Sequence, residues 1–299
     1  MYNYFFYGYK LSTNICIPSM ESNLPYINME ELFLDVKPLN ALSPVSDQIA
    51  QTLCLGINLK YHIYKNENRI VAFSDNVENV ASTIYNVPAA IFLLYRNLFL
   101  LHTSAVEING KIFCFAGNKG VGKSTLTLYL SQYMNHYSDD ALLIKMRGNV
   151  CVGIRQNNLM KIDITTYRRL TNRYDFNKYP KNIIGKAYLN PYSIGHKTST
   201  LVMTEIKKIY IIKRTDKKEV NVRYLGNKYT KSLTICDNIV ANNFMESDQI
   251  YNISKNKEFK FLLNSIPSYE LSIPSDINIF KNERLAYTLN NIMEINSNE

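Results

Sequence analysis

The sequence predicts an α/β protein with a β-rich N-terminal region, and three observations support this prediction. Short β-prone runs separated by turn-forming clusters dominate residues 1–85. Beyond residue 102, two strand-like runs lead into a glycine-rich loop, and apolar residues then recur at every fourth position, as on one face of a helix. Further β-prone runs follow residue 140. We therefore expect a β-rich region at 1–85, a core at 86–280, and a C-terminal helix and tail at 281–299.

The individual strands and helices are predicted from local patterns. The strand-like runs cover residues 4–7, 53–57, 60–64, 70–73, 103–108, 111–116, 141–144, 206–212 and 219–225. The helix-like segments cover residues 124–134, 167–170, 232–245 and 277–292. Asn109-Gly110 predicts a tight turn between two strands, and Asp216-Lys217-Lys218 predicts a hairpin that joins the runs at 206–212 and 219–225. We expect the tail at 296–299 to fray.

Composition and charge exclude several classes of protein. Of the 299 residues, 46% are hydrophobic and 20% are charged, as in an ordinary soluble domain. The net charge of +9 is spread along the chain, and no Arg-rich tail or nucleic-acid-binding motif is present, so nucleic acid is not an expected partner. The densest basic stretch, residues 207–218, is compatible with a solvated hairpin rim or with a surface that attracts anions.

The cysteines and the apolar segments indicate a cytoplasmic protein that does not span a membrane. The five cysteines are scattered and form no CxxC pair, which is typical of reduced thiols. The N-terminus has no basic segment followed by an apolar one, so it does not resemble a signal peptide. The most apolar run, Val87 to Leu101, is interrupted by Arg96-Asn97 and is too short to cross a bilayer. We expect it to form a buried helix and the start of a strand.

The glycine-rich loop is the most specific motif. GNKGVGKS at 117–124 fits GxxxxGK[ST] at every fixed position, between a β-prone run and an amphipathic helix. The glycines let successive backbone N–H groups face a phosphate, and the following helix adds its positive dipole end. The lysine reaches the β- and γ-phosphates, and the serine hydroxyl ligates Mg²⁺. The predicted nucleotide-binding residues are Gly117, Asn118, Lys119, Gly120, Val121, Gly122, Lys123, Ser124 and Thr125.

Two adjacent carboxylates, Asp139 and Asp140, follow 15 residues after Ser124. The strand that follows the loop's helix is expected to carry them back beside the phosphates. Adjacent carboxylates can divide the work of phosphoryl transfer, one accepting the proton of the attacking hydroxyl and one holding Mg²⁺. A polar turn with helix-terminal acids explains the same pair without chemistry, and the residues alone leave both interpretations open.

The stretch from Leu101 to Asp140 resembles HPr kinase/phosphorylase and the related kinases of peptide-modifying gene clusters, such as those for lasso peptides. The matching features are the Leu101-His102 pair, a short strand, the glycine-rich loop and the Asp139-Asp140 pair. The resemblance implies a P-loop kinase core of the HPr kinase/PEP carboxykinase type with a mixed sheet. It also implies ATP and Mg²⁺ as cofactors.

The resemblance implies a role for each matching residue. Asp139 corresponds to the catalytic acid/base, Lys123 stabilises the transferring phosphoryl group, and His102 lies beside the site. The loop motif and the carboxylate pair add Ser124 and Asp140 as the expected metal-binding residues. Lys186 matches a basic residue that relatives often place before a strand, and contact with phosphate stays open for it.

Two departures narrow the expected activity. The glycine-rich downstream signature of the bifunctional enzymes is missing, and residues 160–165 differ from it. Thr125 occupies a position where the HPr enzymes usually carry an acid. We therefore expect kinase activity without phosphorylase activity.

The expected acceptor is a serine or threonine of a peptide or protein, with a precursor peptide as a candidate partner. A homo-oligomer is compatible with the sequence. Two alternatives stay open: a small-molecule hydroxyl kinase on the same fold, and a nucleotide-binding regulator without turnover. Signatures of eukaryotic-type protein kinases are absent, since Asp175-Phe176-Asn177 is not a DFG motif and no HRD occurs.

Overall fold

A computed structural model describes the chain in ten stretches. They are residues 1–17, 29–41, 48–64, 66–157, 159–182, 185–226, 235–240, 257–276, 280 and 283–295. The chain divides into two units, Met1–Leu100 with Val240–Asn256, and Leu101–Ile239 with Lys257–Glu299. The structure confirms the α/β class and the β-rich N-terminal region. Most of the predicted helix at 232–245 and the tail at 296–299 lie outside the described residues.

The first unit contains a six-stranded sheet in the order β1-β2-β3-β6-β5-β4. Its strands are β1 (Tyr2–Phe6), β2 (Tyr9–Thr13), β3 (Glu31–Lys37), β4 (Ile49–Cys54), β5 (Lys60–Tyr64) and β6 (Arg69–Phe73). β3 runs parallel to β2 and β6, and the other neighbours are antiparallel. Two helices follow, α1 (Val77–Thr83) and α2 (Val87–Leu94).

The boundary of this unit lies after Leu100, whereas the sequence placed it between residues 85 and 86. Hydrogen bonds from the sheet to the helical segment explain the difference. The hydroxyl of Tyr61 in β5 lies 2.8 Å from that of Thr83 in α1. The hydroxyl of Tyr95, just after α2, donates to the carbonyl of Ala50 in β4 at 3.1 Å. These contacts join residues far apart in sequence, so a composition shift near residue 85 did not reveal them.

No single helix in the described part of the chain is long and apolar enough to cross a membrane. α1 and α2 reach that length and composition only as a pair, which is bent by 57° at the break between them. Pro88 to Leu93 of α2 are buried in the protein.

The second unit is built on a mixed sheet with helices packed against it. Its elements are the last residue of β7 (Phe99–Leu101, which crosses the unit boundary), β8 (Thr103–Ile108), β9 (Lys111–Ala116), α3 (Lys123–Leu130), β10 (Asn135–Ser138), β11 (Leu142–Arg147), β12 (Val150–Arg155), β13 (Met160–Ile162), α4 (Ile164–Thr171), β14 (Ala187–Leu189), β15 (Met203–Thr215), β16 (Asn221–Tyr224), α5 (Lys257–Ser265), β17 (Ser268–Pro274) and α6 (Glu283–Ile295). The main path runs β10-β8-β9-β15-β12-β11. β15 is parallel to β9 and β17 and antiparallel to β12.

The predicted hairpin between the runs at 206–212 and 219–225 is wrong. β16 does not pair with β15, because β17 lies between them, parallel to β15 and antiparallel to β16. β17 brings the buried side chains of Leu271 and Ile273 into the core. A strand that arrives some fifty residues later leaves no local signal in the sequence around the turn.

Other local predictions are confirmed. Asn109 and Gly110 both have positive φ angles, 52° and 74°, as a two-residue hairpin turn requires. β8 and β9 pair in the register that this turn sets, from Ile108 opposite Lys111 to Thr103 opposite Ala116. The loop's helix is present but ends at Leu130, four residues before the predicted end.

α3 is held between two groups of buried side chains. Leu126, Tyr129 and Leu130 pack with side chains of β9, β15, β17 and α6. Leu128, on the other side of the helix, packs with side chains of β13, α4 and β14. Burying one leucine side chain contributes about 2 kcal/mol. The helix that begins at the glycine-rich loop is therefore fixed from both sides.

Candidate active site

Strand register brings three sequence motifs to one edge of the sheet. Thr103 at the start of β8 lies opposite Ala116 at the end of β9, so His102 and Gly117 leave the sheet at the same edge. β10 is antiparallel to β8, and Asp139 follows its last residue. The turn with the paired carboxylates therefore emerges beside the glycine-rich loop.

The loop has the backbone that a phosphate cradle needs. Gly117, Gly120 and Gly122 all have positive φ angles, a region that other residues rarely adopt. Gly117 also lies against β15, where a Cβ atom would come within 3.0 Å of the carbonyl oxygen of Ile212. α3 begins directly after the loop, so its unpaired N–H groups and positive dipole end face the same space. This arrangement can bind an anionic group.

Lys123 folds back over the loop. Its Nζ donates to the carbonyl oxygens of Gly117 at 2.7 Å and Asn118 at 3.3 Å. The residue is 7% exposed, and burial lowers the pKa of the ammonium group. The charges of Asp139 and Asp140 oppose that shift. The cation is thus held at the mouth of the loop with two carboxylates nearby.

Asp139 accepts three hydrogen bonds. Oδ1 accepts from the hydroxyl of Ser104 at 2.5 Å and from the hydroxyl of Ser124 at 2.8 Å. Oδ2 accepts from the backbone N–H of Lys161 at 3.0 Å. The carboxylate is therefore tied to the first turn of α3 and to two strands. Ser104 was not predicted, since a serine inside a strand carries no functional signal of its own.

Asp140 has a different set of partners. Its Oδ2 accepts from Lys161 Nζ at 2.5 Å, and its Oδ1 lies 3.7 Å from His102 Nε2. Burial raises the pKa of Asp140, but the charges of Lys161, His102 and Lys123 outweigh burial and lower it overall. Its φ of 73° places a non-glycine residue in the left-handed region, an energetically costly conformation. The turn thus directs the two carboxylates to different partners.

His102 is tied to the loop through Asn238. The backbone N–H of His102 donates to the carbonyl oxygen of Asn238 at 2.6 Å. The side-chain oxygen of Asn238 accepts from the N–H of Gly117 at 2.7 Å. Burial lowers the pKa of His102, and the charge of Lys123 lowers it further. The nearby charges of Asp140 and Asp139 oppose this lowering of the His102 pKa.

Sequence reasoning missed three residues of this site: Ser104, Lys161 and Asn238. Lys161 lies within residues 160–165, where only a departure from the related enzymes was noted. Lys161 is 21 residues from Asp140, and Asn238 is 121 residues from Gly117. No spacing rule connects positions so far apart.

The remaining predicted residues lie at the outer side of the loop or near it. Asn118, Lys119 and Gly120 are exposed, and Thr125 is half-buried in the first turn of α3. The charge of Lys186 lowers the pKa of Lys123 further, after burial.

The site presents oxygen donors of the kind that bind Mg²⁺. Mg²⁺ binds one or two protein carboxylates together with substrate phosphates and waters. The Ser124 hydroxyl and the Asp139 carboxylate are adjacent oxygen donors of this kind. Asp140 is engaged by the Lys161 ammonium instead. Within the described stretches, no group of three or more His, Cys, Asp and Glu side chains could hold a metal by itself. The donor set fits an ion held jointly by protein and nucleotide.

Comparisons with known proteins give matches among solved structures. No protein-family model matches the chain, and no curated protein matches it. Among solved structures, the chain is similar to the Hpr(Ser) kinase/phosphatase from Coxiella burnetii, with 12% identity and a TM-score of 0.35. The similarity covers 64% of this chain and 94% of that one. An identity and a TM-score this low assign no activity.

Proposed function

We propose that this chain is a Mg²⁺- and ATP-dependent kinase that transfers the γ-phosphate to a serine or threonine hydroxyl of a peptide or protein. The observation that carries the proposal is the hydrogen bond between Ser124 of the loop and Asp139 of the carboxylate pair. It joins a phosphate-binding loop to the acidic groups that phosphoryl transfer requires.

The loop and its lysine hold the donor. The N–H groups of residues 117–124 and the start of α3 face the β- and γ-phosphates, and Lys123 neutralises charge on the transferring group. Ser124 and Asp139 would hold Mg²⁺, and the ion would supply positive charge to offset the charge on the phosphates during transfer.

The contacts favour a division of roles between the two carboxylates that is opposite to the one expected from the sequence. Asp139 is engaged by Ser124, the residue expected to ligate the metal, so it belongs to the metal side. Asp140 is partly exposed, lies beside His102 and has a different set of partners from Asp139. We therefore assign the proton-accepting role to Asp140 and the metal role to Asp139.

The transfer step follows from this division. The acceptor hydroxyl oxygen attacks the γ-phosphorus, its proton passes to the Asp140 carboxylate, and the bond to the β-phosphate oxygen breaks to release ADP. Lys161 and His102 hold the Asp140 side chain in place from two directions. In a loose transition state the proton leaves late, so orienting the hydroxyl matters more than a high pKa of the base.

The acceptor class is inferred from two weaker observations. The net charge of +9 favours an anionic or acidic partner. The sequence resemblance favours a hydroxyl on a peptide, and a precursor peptide modified by a neighbouring enzyme set is the specific candidate. A small hydroxylated metabolite fits the same phosphate site, because a fold does not determine a substrate.

Mass spectrometry after incubation with ATP and Mg²⁺ tests the proposal. The acceptors are a library of serine- and threonine-containing peptides and a pool of hydroxylated metabolites. We expect a gain of one phosphoryl group on a peptide, with no gain for the matched variant Lys123→Met. A phosphorylated metabolite would replace the peptide acceptor by a small molecule. ATP binding without transfer to any acceptor, including peptides encoded beside the gene, would refute the kinase.

A further inference from the structure

Arg214 is a cation near the loop to which the proposed reaction gives no role. β15 runs parallel to β9 and pairs Ile211 with Ala116, so both strands end at the same edge of the sheet. Arg214 lies beyond that pair on β15, and Gly117 begins the loop beyond it on β9. The register between β15 and β9 therefore places Arg214 beside the start of the loop.

The guanidinium is fixed against the last turn of the loop. Its Nε donates to the carbonyl oxygen of Val121 at 2.8 Å, and its Nη1 donates to the carbonyl oxygen of Pro274, at the end of β17, at 3.0 Å. A Cβ atom on Gly122 would lie 2.2 Å from Nη2. Two hydrogen bonds and this close approach leave the group little freedom.

No carboxylate neutralises this cation among the residues the structure describes. Its pKa is lowered by burial alone, with no contribution from an acidic side chain. An arginine remains protonated despite such a shift. The guanidinium also lies 5.6 Å from the ring centroid of Phe280, which is buried. A half-buried charge without a counterion is costly unless an anion binds nearby.

We propose that Arg214 is a positioning residue of the nucleotide loop, which holds the Val121 carbonyl toward the strand ends and places an unneutralised positive charge beneath the phosphate-binding turn. This inference rests on the proposed function, since it deepens the account of the same site. Holding the Val121 carbonyl toward the guanidinium leaves the N–H groups of the turn directed at the phosphates. The charge adds an attraction that grows with the charge of the ligand.

A purely structural arginine and a positioning arginine differ in one measurable property. Loss of hydrogen bonds to Val121 and Pro274 lowers thermal stability in either case. Only a charge that acts on bound phosphates changes how nucleotide affinity depends on ionic strength, because salt screens that attraction. The salt dependence of binding therefore separates the two roles without any measurement of turnover.

The experiment compares the wild-type chain with Arg214→Gln, Arg214→Lys and the control Arg169→Gln. Arg169 is an exposed residue in the last turn of α4, so its replacement removes the same charge from a different element. ADP with Mg²⁺ is titrated by calorimetry at three NaCl concentrations between about 50 and 500 mM, a range over which screening lengths shorten several-fold. Melting temperatures are recorded for each variant.

We expect Arg214→Gln to raise the Kd for ADP about tenfold at low salt and to flatten its salt dependence. Arg214→Lys keeps the charge but not both hydrogen bonds, so its Kd should rise about fivefold with a salt dependence like that of the wild type. Arg169→Gln should match the wild type.

Three results for the Arg214 variants would overturn the inference. One is a Kd within about twofold of the wild type for both Arg214 variants. Another is a weaker Arg214→Gln variant with an unchanged salt dependence, which would mean a structural role only. If Arg214→Gln does not fold, an Arg214→Lys variant with wild-type affinity decides against the role. A wild-type chain that binds no ADP would refute the proposed kinase, and this inference with it. Failure of the Arg214 inference alone is a different outcome, in which the wild type binds ADP.

Discussion

The hydroxyl of Ser124, in the first turn of α3, donates a hydrogen bond of 2.8 Å to the carboxylate of Asp139, which follows β10. The two residues come from separate elements, and the hydrogen bond joins the helix of the glycine-rich loop to the turn that carries the carboxylate pair. Asp139 also accepts from Ser104 and from the backbone of Lys161. Its carboxylate is therefore a structural junction as well as a group suited to hold a metal.

Replacing Asp139 by asparagine should weaken the hydrogen bonds that its carboxylate accepts from Ser104, Ser124 and Lys161. Both carboxylate oxygens accept hydrogen bonds. Asparagine has an NH₂ group in place of one of these oxygens, and that group would face a hydrogen-bond donor from which it cannot accept. We expect Asp139→Asn to lower the free energy of unfolding by about 1–3 kcal/mol and to weaken the dependence of ADP binding on Mg²⁺. Urea unfolding and calorimetric titration with and without Mg²⁺ measure the two effects. An unchanged Mg²⁺ dependence would remove Asp139 from the metal site.

Replacing Asp140 by asparagine should spare binding and remove transfer. Asp140 contacts Lys161 and His102, which lie outside the glycine-rich loop, so we expect the Kd for ADP in Asp140→Asn to stay within a few-fold of the wild type. Loss of the proton acceptor should lower kcat about a hundredfold or more. Single-turnover assays with the identified acceptor provide the measurement. If Asp140→Asn retains full kcat while Asp139→Asn loses it, the division of roles reverts to the one implied by the sequence resemblance.

Lys161 should set the pH range of the reaction. Burial raises the pKa of Asp140, and the neighbouring cations, Lys161 foremost, reverse this and lower it. Lys161→Met removes the ammonium group, so less positive charge counteracts the effect of burial and the pKa of Asp140 rises. A base must be deprotonated, so activity is lost below its pKa and the acid limb of kcat/KM should move to higher pH. Profiles measured between pH 4 and 8 test this, and identical acid limbs in both proteins would contradict it.

Gly122 should tolerate a methyl group less well than a glycine elsewhere with a similar backbone. Gly122 has a φ of 100°, and an added Cβ would lie 2.2 Å from Arg214 Nη2. Gly148 has a φ of 61° and open space around its Cβ position. We expect Gly148→Ala to cost about 1–2 kcal/mol of stability from the backbone alone, and Gly122→Ala to cost more and to lose ADP binding. Equal stability loss in the two variants would mean that the guanidinium moves aside at no cost.

His136 should make the fold sensitive to acid. The residue is fully buried in β10, and neither ring nitrogen has a hydrogen-bond partner among the described residues. Burial, with a smaller effect of the Arg155 charge, lowers its pKa to about 3. The unfolded chain therefore binds this proton near pH 6.5 while the folded chain does not. Stability is complete above about pH 6.5 and falls as the pH drops from there toward 3.

The matched variant His136→Leu isolates this effect. Lowering the pH from 8 to 5 should cost the wild type about 2 kcal/mol more than the variant, as the shift in pKa requires. Urea unfolding at the two pH values gives the difference, in which the contributions of the other histidines cancel. A pH dependence of equal size in both proteins would show that His136 is protonated in the folded state or finds a partner there.

Local sequence patterns were sufficient to predict the glycine-rich loop, the strand before it and the helix after it. The glycines at 117, 120 and 122, the β-prone run before them and the apolar periodicity after them each act over a few residues, so a strand, a loop and a helix are predictable in order. The tight turn at Asn109-Gly110 is predictable for the same reason, since both residues accept positive φ angles. The roles carried over from the sequence resemblance remain predictions.

Only the tertiary structure decided which side chains meet at the loop. Strand pairing brings Ser104 to Asp139 across 35 residues, Arg214 to Val121 across 93, and Asn238 to Gly117 across 121. The same long-range pairing inserts β17 between β15 and β16. The physical reason is that backbone conformation is governed by neighbours in the chain, whereas charge pairing and burial depend on which strands the whole sheet brings together.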